Sequence, residues 1–153
     1  MGTRSVVRVQ EVYTNENGKT KTYKHDVYHH YDGYIEGVGF TLLDIFLNKD
    51  TKKLDIRADI DHVTNFLIKD KKNIDDSFEI TAFNHIDIEY FYLIDVNTKT
   101  VEAWHVNNWS GRMKKYEHYT HEQIVEMYLQ DRENLKNNLT IKNNHDILSM
   151  LDK

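Results

Sequence analysis

Between Ser5 and His30 the chain runs through two stretches of loosely alternating, β-branched and aromatic residues, separated by Asn15-Glu16-Asn17-Gly18. No other pattern constrains the fold as much. A period of two matches a strand, and a break rich in Asn and Gly matches the turn between antiparallel partners. The spacing predicts a β-hairpin, Ser5 to Tyr13 against Lys19 to His30. Strand character returns at Phe78 to Phe83 and Asp87 to Val96. Asn97-Thr98 then turns the chain into Thr100 to Val106, a second hairpin or meander.

Helical spacing fills the gaps. Phe40, Leu43, Phe46 and Leu47 predict a helix from near Gly37 to about Asn48, and Ile56, Ile60, Val63 and Leu67 predict another over 54 to 69. Thr120 followed by Gln123 is a capping box that opens a helix with Ile124, Tyr128 and Leu135 inward. The apolar stretch Ile147 to Leu151 is read as a last docked turn or a contact with another subunit. Because strands come in hairpin pairs and do not alternate strictly with helices, the expected class is α+β: an antiparallel sheet built from hairpins, covered by helices. A chain of 153 residues that is 39% hydrophobic covers one core, so a single domain over 1–153 is expected, with 141–153 as an interaction or docking element.

Charge and composition narrow the function. With 25 acidic against 20 basic residues the net charge is -5, which argues against an extended nucleic-acid partner. The chain has no cysteine and opens with charge in place of an apolar signal core, so a cytoplasmic setting is expected. No apolar run approaches the roughly 20 residues that span a bilayer, and a soluble protein is expected. No two histidines four residues apart fall in a predicted helix, as the zinc-hydrolase motif requires, and neither a metal nor a cofactor is expected.

The candidate site is the run Tyr28-His29-His30-Tyr31-Asp32-Gly33-Tyr34-Ile35-Glu36-Gly37-Val38-Gly39, set between a strand and a helix. His29 and His30 occupy consecutive strand positions and point to opposite faces. Amides near Gly37 and Gly39 at a helix start suit a phosphate or carboxylate, and the same glycines suit close packing of helix on sheet. Asp32 beside His30 reads either as an acid-base pair or as a turn former. Arg4 is the candidate functional cation, while Arg8, Arg112, Lys114 and Lys115 read as solvated singles. Tyr90 and Tyr92 share one sheet face and Phe91 takes the other. Trp104 and Trp109 are the candidate stacking rings.

Two of these segments carry a resemblance. Met1-Gly2-Thr3-Arg4-Ser5, followed by a strand and then by Y-H-H-Y-D-G-Y, resembles a family of small phage and mobile-element proteins that begin G-T-R-[SC] and carry Y-[RK]-[QH]-[WFY]-D-G-Y-P-x-G-H-G. Glu89-Tyr90-Phe91-Tyr92 with Asp95 is similar to that family's E-Y-x-Y strand. The likeness covers residues 1 to 47, and more loosely 87 to 105. It implies a mobile-element origin and brings no established activity. This chain has Ile35 where the family has proline and Val38 where it has histidine, which favours binding over chemistry.

Together these readings give an expected function: a phage-type anti-defence protein that sequesters a small nucleotide immune signal, of the cyclic ADP-ribose or cyclic dinucleotide kind, in the host cytoplasm. The expected binding residues are Thr3, Arg4, Ser5, His30, Asp32, Gly33, Tyr34, Gly37, Gly39 and Trp104, with no catalytic residue, and a homo-oligomer is expected. The alternatives are a phosphodiesterase using His30 and Asp32, or an acidic module that inhibits a host protein through its surface.

Overall fold

Strand β1, Ser5–Thr14, turns back into β2, Thr20–His29, and the two pair antiparallel from Ser5 opposite His29 to Thr14 opposite Thr20. Asn15 builds the turn. Its side-chain oxygen accepts from the amides of Asn17 and Lys19, while Gly18 takes a left-handed backbone (φ 77°) that side chains disfavour. This is the hairpin that the alternation predicts, seen in a computed structural model that describes residues 3–56, 60–69, 78–81, 88–107 and 115–151.

Four more strands, β3 (Phe78–Thr81), β4 (Tyr90–Asp95), β5 (Thr100–Asn107) and β6 (Lys115–Tyr119), complete a sheet of order β3-β2-β1-β4-β5-β6. The fold is α+β. The sheet is antiparallel at every join but one, because β4 lies parallel to β1 with Val7 opposite Tyr92. β2 already holds one edge of β1 and β5 holds one edge of β4, so the two hairpins meet along their remaining edges, and connectivity sets that join parallel. β6 was not anticipated. β3 reaches Thr81, and the rest of its predicted span, 82 and 83, lies outside the described residues.

Helical segments depart from the sequence reading at their starts. Residues Ile35–Gly39 wind as a π turn, only Phe40–Phe46 (α1) is α-helical, and Leu47 is extended and bridges Leu54. Helix α2 spans Ile60–Lys69, not 54–69. Leu54 and Ile56 are buried but lie outside any helix: their spacing copies a helical period because both reach the core that α2 covers.

Helix α3, His121–Leu151, opens with the predicted capping box: the Thr120 amide donates to Gln123 Oε1 (2.8 Å) and the Gln123 amide to Thr120 Oγ1 (3.2 Å). Tyr128 and Arg132 both bond the Asp44 carboxylate and so tie α3 to α1. Leu135 was expected inward and is 47% exposed. At about 1.5 Å per residue α3 is on the order of 45 Å long, and its apolar spacing continues beyond the part that packs on the sheet. Ile147 to Leu151 continue the same helix and form no separate turn. Among the described residues no helix is long and apolar enough to cross a membrane.

The core lies on one face of the sheet. Val7, Val9, Val27, Tyr92, Ile94, Val101 and Ala103 meet Leu42, Leu43, Val63, Leu67 and Ile124 from the three helices. Alternation turns Val6, Arg8, Tyr28, Phe91 and Trp104 to the other face, and none of them belongs to this core.

Past Gln10, β1 loses its partner β4, and one side chain extends the ladder. Asn97 accepts from the Val12 amide (2.7 Å) and donates to the Val12 carbonyl (2.9 Å), in place of a strand residue. Asn97→Ala is expected to cost about 1 kcal/mol and to speed exchange of the Val12 amide, with Val7 and Val9 unchanged, as measured by native-state hydrogen exchange.

A candidate site at the Asp32-Gly33-Tyr34 bend

After His29 the chain folds back over the start of β1. The Gly33 amide donates to the Thr3 carbonyl (2.8 Å), which brings together two motifs far apart in sequence. Contact here is too close for a side chain: a Cβ on Gly33 would stand 2.7 Å from Thr3 O and 2.8 Å from Ser5 Cβ. Asp32 takes the left-handed backbone of the bend (φ 53°), a conformation that Asp tolerates better than most. From beneath, the buried Tyr92 hydroxyl donates to the Gly33 carbonyl (2.6 Å).

The amides expected to cradle a ligand are engaged within the bend. Gly37 N–H donates to Tyr34 O (2.9 Å), Val38 N–H to Asp32 O (2.9 Å), and the Gly39 amide faces the Tyr92 hydroxyl. Gly37 is required for contact, since a Cβ there would lie 2.0 Å from Asp32 O. Gly39 lets Tyr92 pack at van der Waals range. The packing reading of these glycines therefore describes what they do in the fold, with the Gly37, Val38 and Gly39 amides already engaged.

Asp32 and His30 do not pair with each other. Asp32 Oδ1 accepts from the exposed Tyr34 hydroxyl (3.2 Å), which pushes the Tyr34 phenol up, and His30 Nδ1 meets Tyr28 Oη (2.9 Å). The predicted site residues thus divide between two sides of the sheet. Ser5, Gly33, Gly37 and Gly39 pack on the helix-covered side, with Thr3, Asp32 and Tyr34 in the bend above them. His30, Trp104 and, by alternation, Arg4 belong to the other side, so Trp104 and the bend do not face one ligand from the same side. Trp109, Arg112 and Lys114 lie outside the described residues, and Lys115 begins β6.

On that other side a row of rings crosses the sheet. Tyr28, Val6, Phe91, Trp104 and His118 occupy directly opposed positions on β2, β1, β4, β5 and β6. Trp104 stacks on His118 (4.8 Å, 21°) and tilts against Phe91 (5.6 Å), and the Arg8 guanidinium lies 5.3 Å from the Phe91 ring centre. Arg8 is in turn held by Asp26 (2.8 Å), which raises its pKa through that hydrogen bond. His118 Nε2 meets Glu102 (2.9 Å), and His30 meets the edge of Tyr31 (4.6 Å). Tyr28, Phe91 and Trp104 are half-buried.

A second row, on the covered side, was not foreseen as a unit. Ser5, Tyr90, His105 and Glu117 are opposed across four strands, with His105 stacked flat on Tyr90 (4.5 Å, 10°) and Tyr119 donating to Glu117 (3.0 Å). Burial first, then nearby tyrosine and carboxylate charge, raises the Tyr90 phenol. The alternation in Lys115 to Tyr119 was the available signal for Glu117 and Tyr119.

Comparison with protein-family models, with curated proteins and with solved structures gave no match.

Ser5 supplies the last detail: its side chain is fully buried under Gly33, and its hydroxyl has no hydrogen-bond partner among the described residues. An unsatisfied buried hydroxyl costs about 1–3 kcal/mol. Ser5→Ala is therefore expected to leave melting unchanged or raise it, whereas Gly37→Ala is expected to cost about 2 kcal/mol or more by forcing the bend open. Thermal denaturation of both variants checks the pair. Tyr92 adds a pH dependence. Burial first, then Tyr90, pushes its phenol well above 10, so the folded state keeps a proton that the unfolded chain releases near pH 10. Stability is full below about pH 10 and falls as pH rises beyond it. Urea midpoints between pH 8 and 11 are expected to show that fall, reduced in Tyr92→Phe.

Proposed function

We propose that this is a phage-type anti-defence protein that binds and sequesters a small nucleotide signal without cleaving it. The observation that carries the reading is the row Tyr28-Phe91-Trp104-His118 on the sheet face that the core leaves aside, running toward the end where the Thr3-Arg4-Ser5 and Asp32-Gly33-Tyr34 segments close on each other. Partly exposed flat rings on a sheet offer stacking to a base and tolerate its identity. In this reading Trp104, backed by His118, carries a base, while Arg4 and His30 meet a phosphate. A Tyr28 hydroxyl that donates to His30 Nδ1 leaves the proton on Nε2, a donor suited to a phosphate oxygen.

Sequestration is favoured over hydrolysis by the same geometry. The carboxylate and imidazole that an acid-base pair needs are bonded to Tyr34 and Tyr28, not to one another. The net charge of -5 fits a compact ligand held by a few cations better than a polyanion tracked along a surface. The resemblance to phage and mobile-element proteins supplies the biological setting, the cytoplasm of an infected cell.

The protein is mixed with cyclic ADP-ribose and with cyclic dinucleotides, freed of unbound ligand and denatured. Unchanged nucleotide is expected in the supernatant, and Trp104→Ala is expected to weaken retention about 10- to 100-fold. Cleaved product that disappears in His30→Ala would select the phosphodiesterase instead. Retention of no nucleotide would end the proposal.

A further inference from the structure

A cavity of about 620 Å³, within the range of small-molecule sites, opens on the opposite side of the fold from the ring row. One wall is the 48–53 loop, which presents Lys52 and Lys53; the other is α3, which presents Glu122, Glu126 and Glu133, with Leu129 between them. Glu122 and Glu126 are one helical turn apart, roughly 6 Å along the axis, and Glu133 continues the stripe. Among the described residues none of these five charges takes part in an ion pair, although opposite signs face one cavity.

The lysine wall is fixed, not a loose surface loop. His121, 6% exposed, accepts from the Val101 amide at Nδ1 (3.0 Å) and through Nε2 holds the Lys52 carbonyl (2.6 Å), so the loop is tied to β5 and to the first turn of α3. Lys52 itself has φ 58°, a left-handed backbone that lysine seldom adopts, maintained by its amide on Asn48 O and by the Asn48 amide on Lys53 O (both 2.8 Å). A charged residue is thus kept at a strained position beside the cavity, with its backbone already immobilised.

We infer that this cavity binds a small dipolar amino compound of the basic amino-acid kind, its carboxylate between Lys52 and Lys53 and its cationic groups along the glutamate stripe. Two positive and three negative side chains complement a ligand with one anionic and two cationic groups. The apolar stem of such a ligand lies against Leu129. The site is separate from the ring row and stands independently of the nucleotide proposal.

L-arginine is the probe, titrated into the full chain by calorimetry and by thermal shift. Saturable binding is expected. Agmatine, which has the same side chain without the carboxylate, is expected to bind at least about tenfold more weakly, as are Lys53→Gln and Glu126→Gln with arginine. Both substituted residues are exposed, and an unchanged circular dichroism spectrum identifies folded variants. Any of three results overturns the inference: no saturation up to about 10 mM arginine, equal binding of agmatine, or undiminished binding by both folded variants.

Discussion

Tyr92 is the point on which the site end of this fold depends. It is one of the largest fully buried side chains, it stands on β4 at the parallel join with β1, and its hydroxyl reaches the Gly33 carbonyl. A tyrosine is needed at such a place because its ring fills core volume while its tip satisfies a carbonyl that the bend cannot satisfy itself. Gly39 lies against that ring, and Gly33 lies against the start of β1. The glycines let the bend descend onto the sheet, and Tyr92 holds it there.

This closure has a chemical consequence. Bending the chain so tightly uses the amides of Gly33, Gly37 and Val38 internally, so the loop becomes rigid and loses the main-chain donors that make glycine-rich loops good anion sites. What surrounds the bend is then a set of side chains. On the face away from the core these are rings with Arg8 and His118 beside them; on the core side they are phenols and carboxylates. The two sides therefore suit different chemistry, and among the described residues the face away from the core sets Arg8 beside its row of rings.

Much of the architecture was legible because it is written locally. Asn15 and Gly18 specify a turn by their own hydrogen bonds and backbone, and Thr120 with Gln123 specifies a helix start by the same means. Alternation placed Tyr90 and Tyr92 on one face and Phe91 on the other. What was not legible depended on distance. Ile56 keeps helical spacing with Ile60 although it sits outside the helix, and Leu135 keeps step with Tyr128 although it is exposed. The parallel join of β1 with β4 leaves no trace in either strand. At the site, residue types located the bend, but only coordinates tell that Gly37 is there because Asp32 O leaves no room, or that Trp104 and Tyr34 attend to different sides.

The separation of His30 from Asp32 bears most directly on chemistry. Adjacent polar residues in a bend invite pairing, yet Asp32 adopts φ 53° to complete the turn, and its carboxylate meets Tyr34 two residues on. His30 follows the strand and meets Tyr28 two residues back. Each side chain is engaged by its own tyrosine, while the backbone of the bend is held by the Gly33, Val38 and Tyr92 hydrogen bonds. An imidazole and a carboxylate that each already answer to a neighbouring phenol do not form, in this arrangement, the hydrogen-bonded couple that general acid-base catalysis uses.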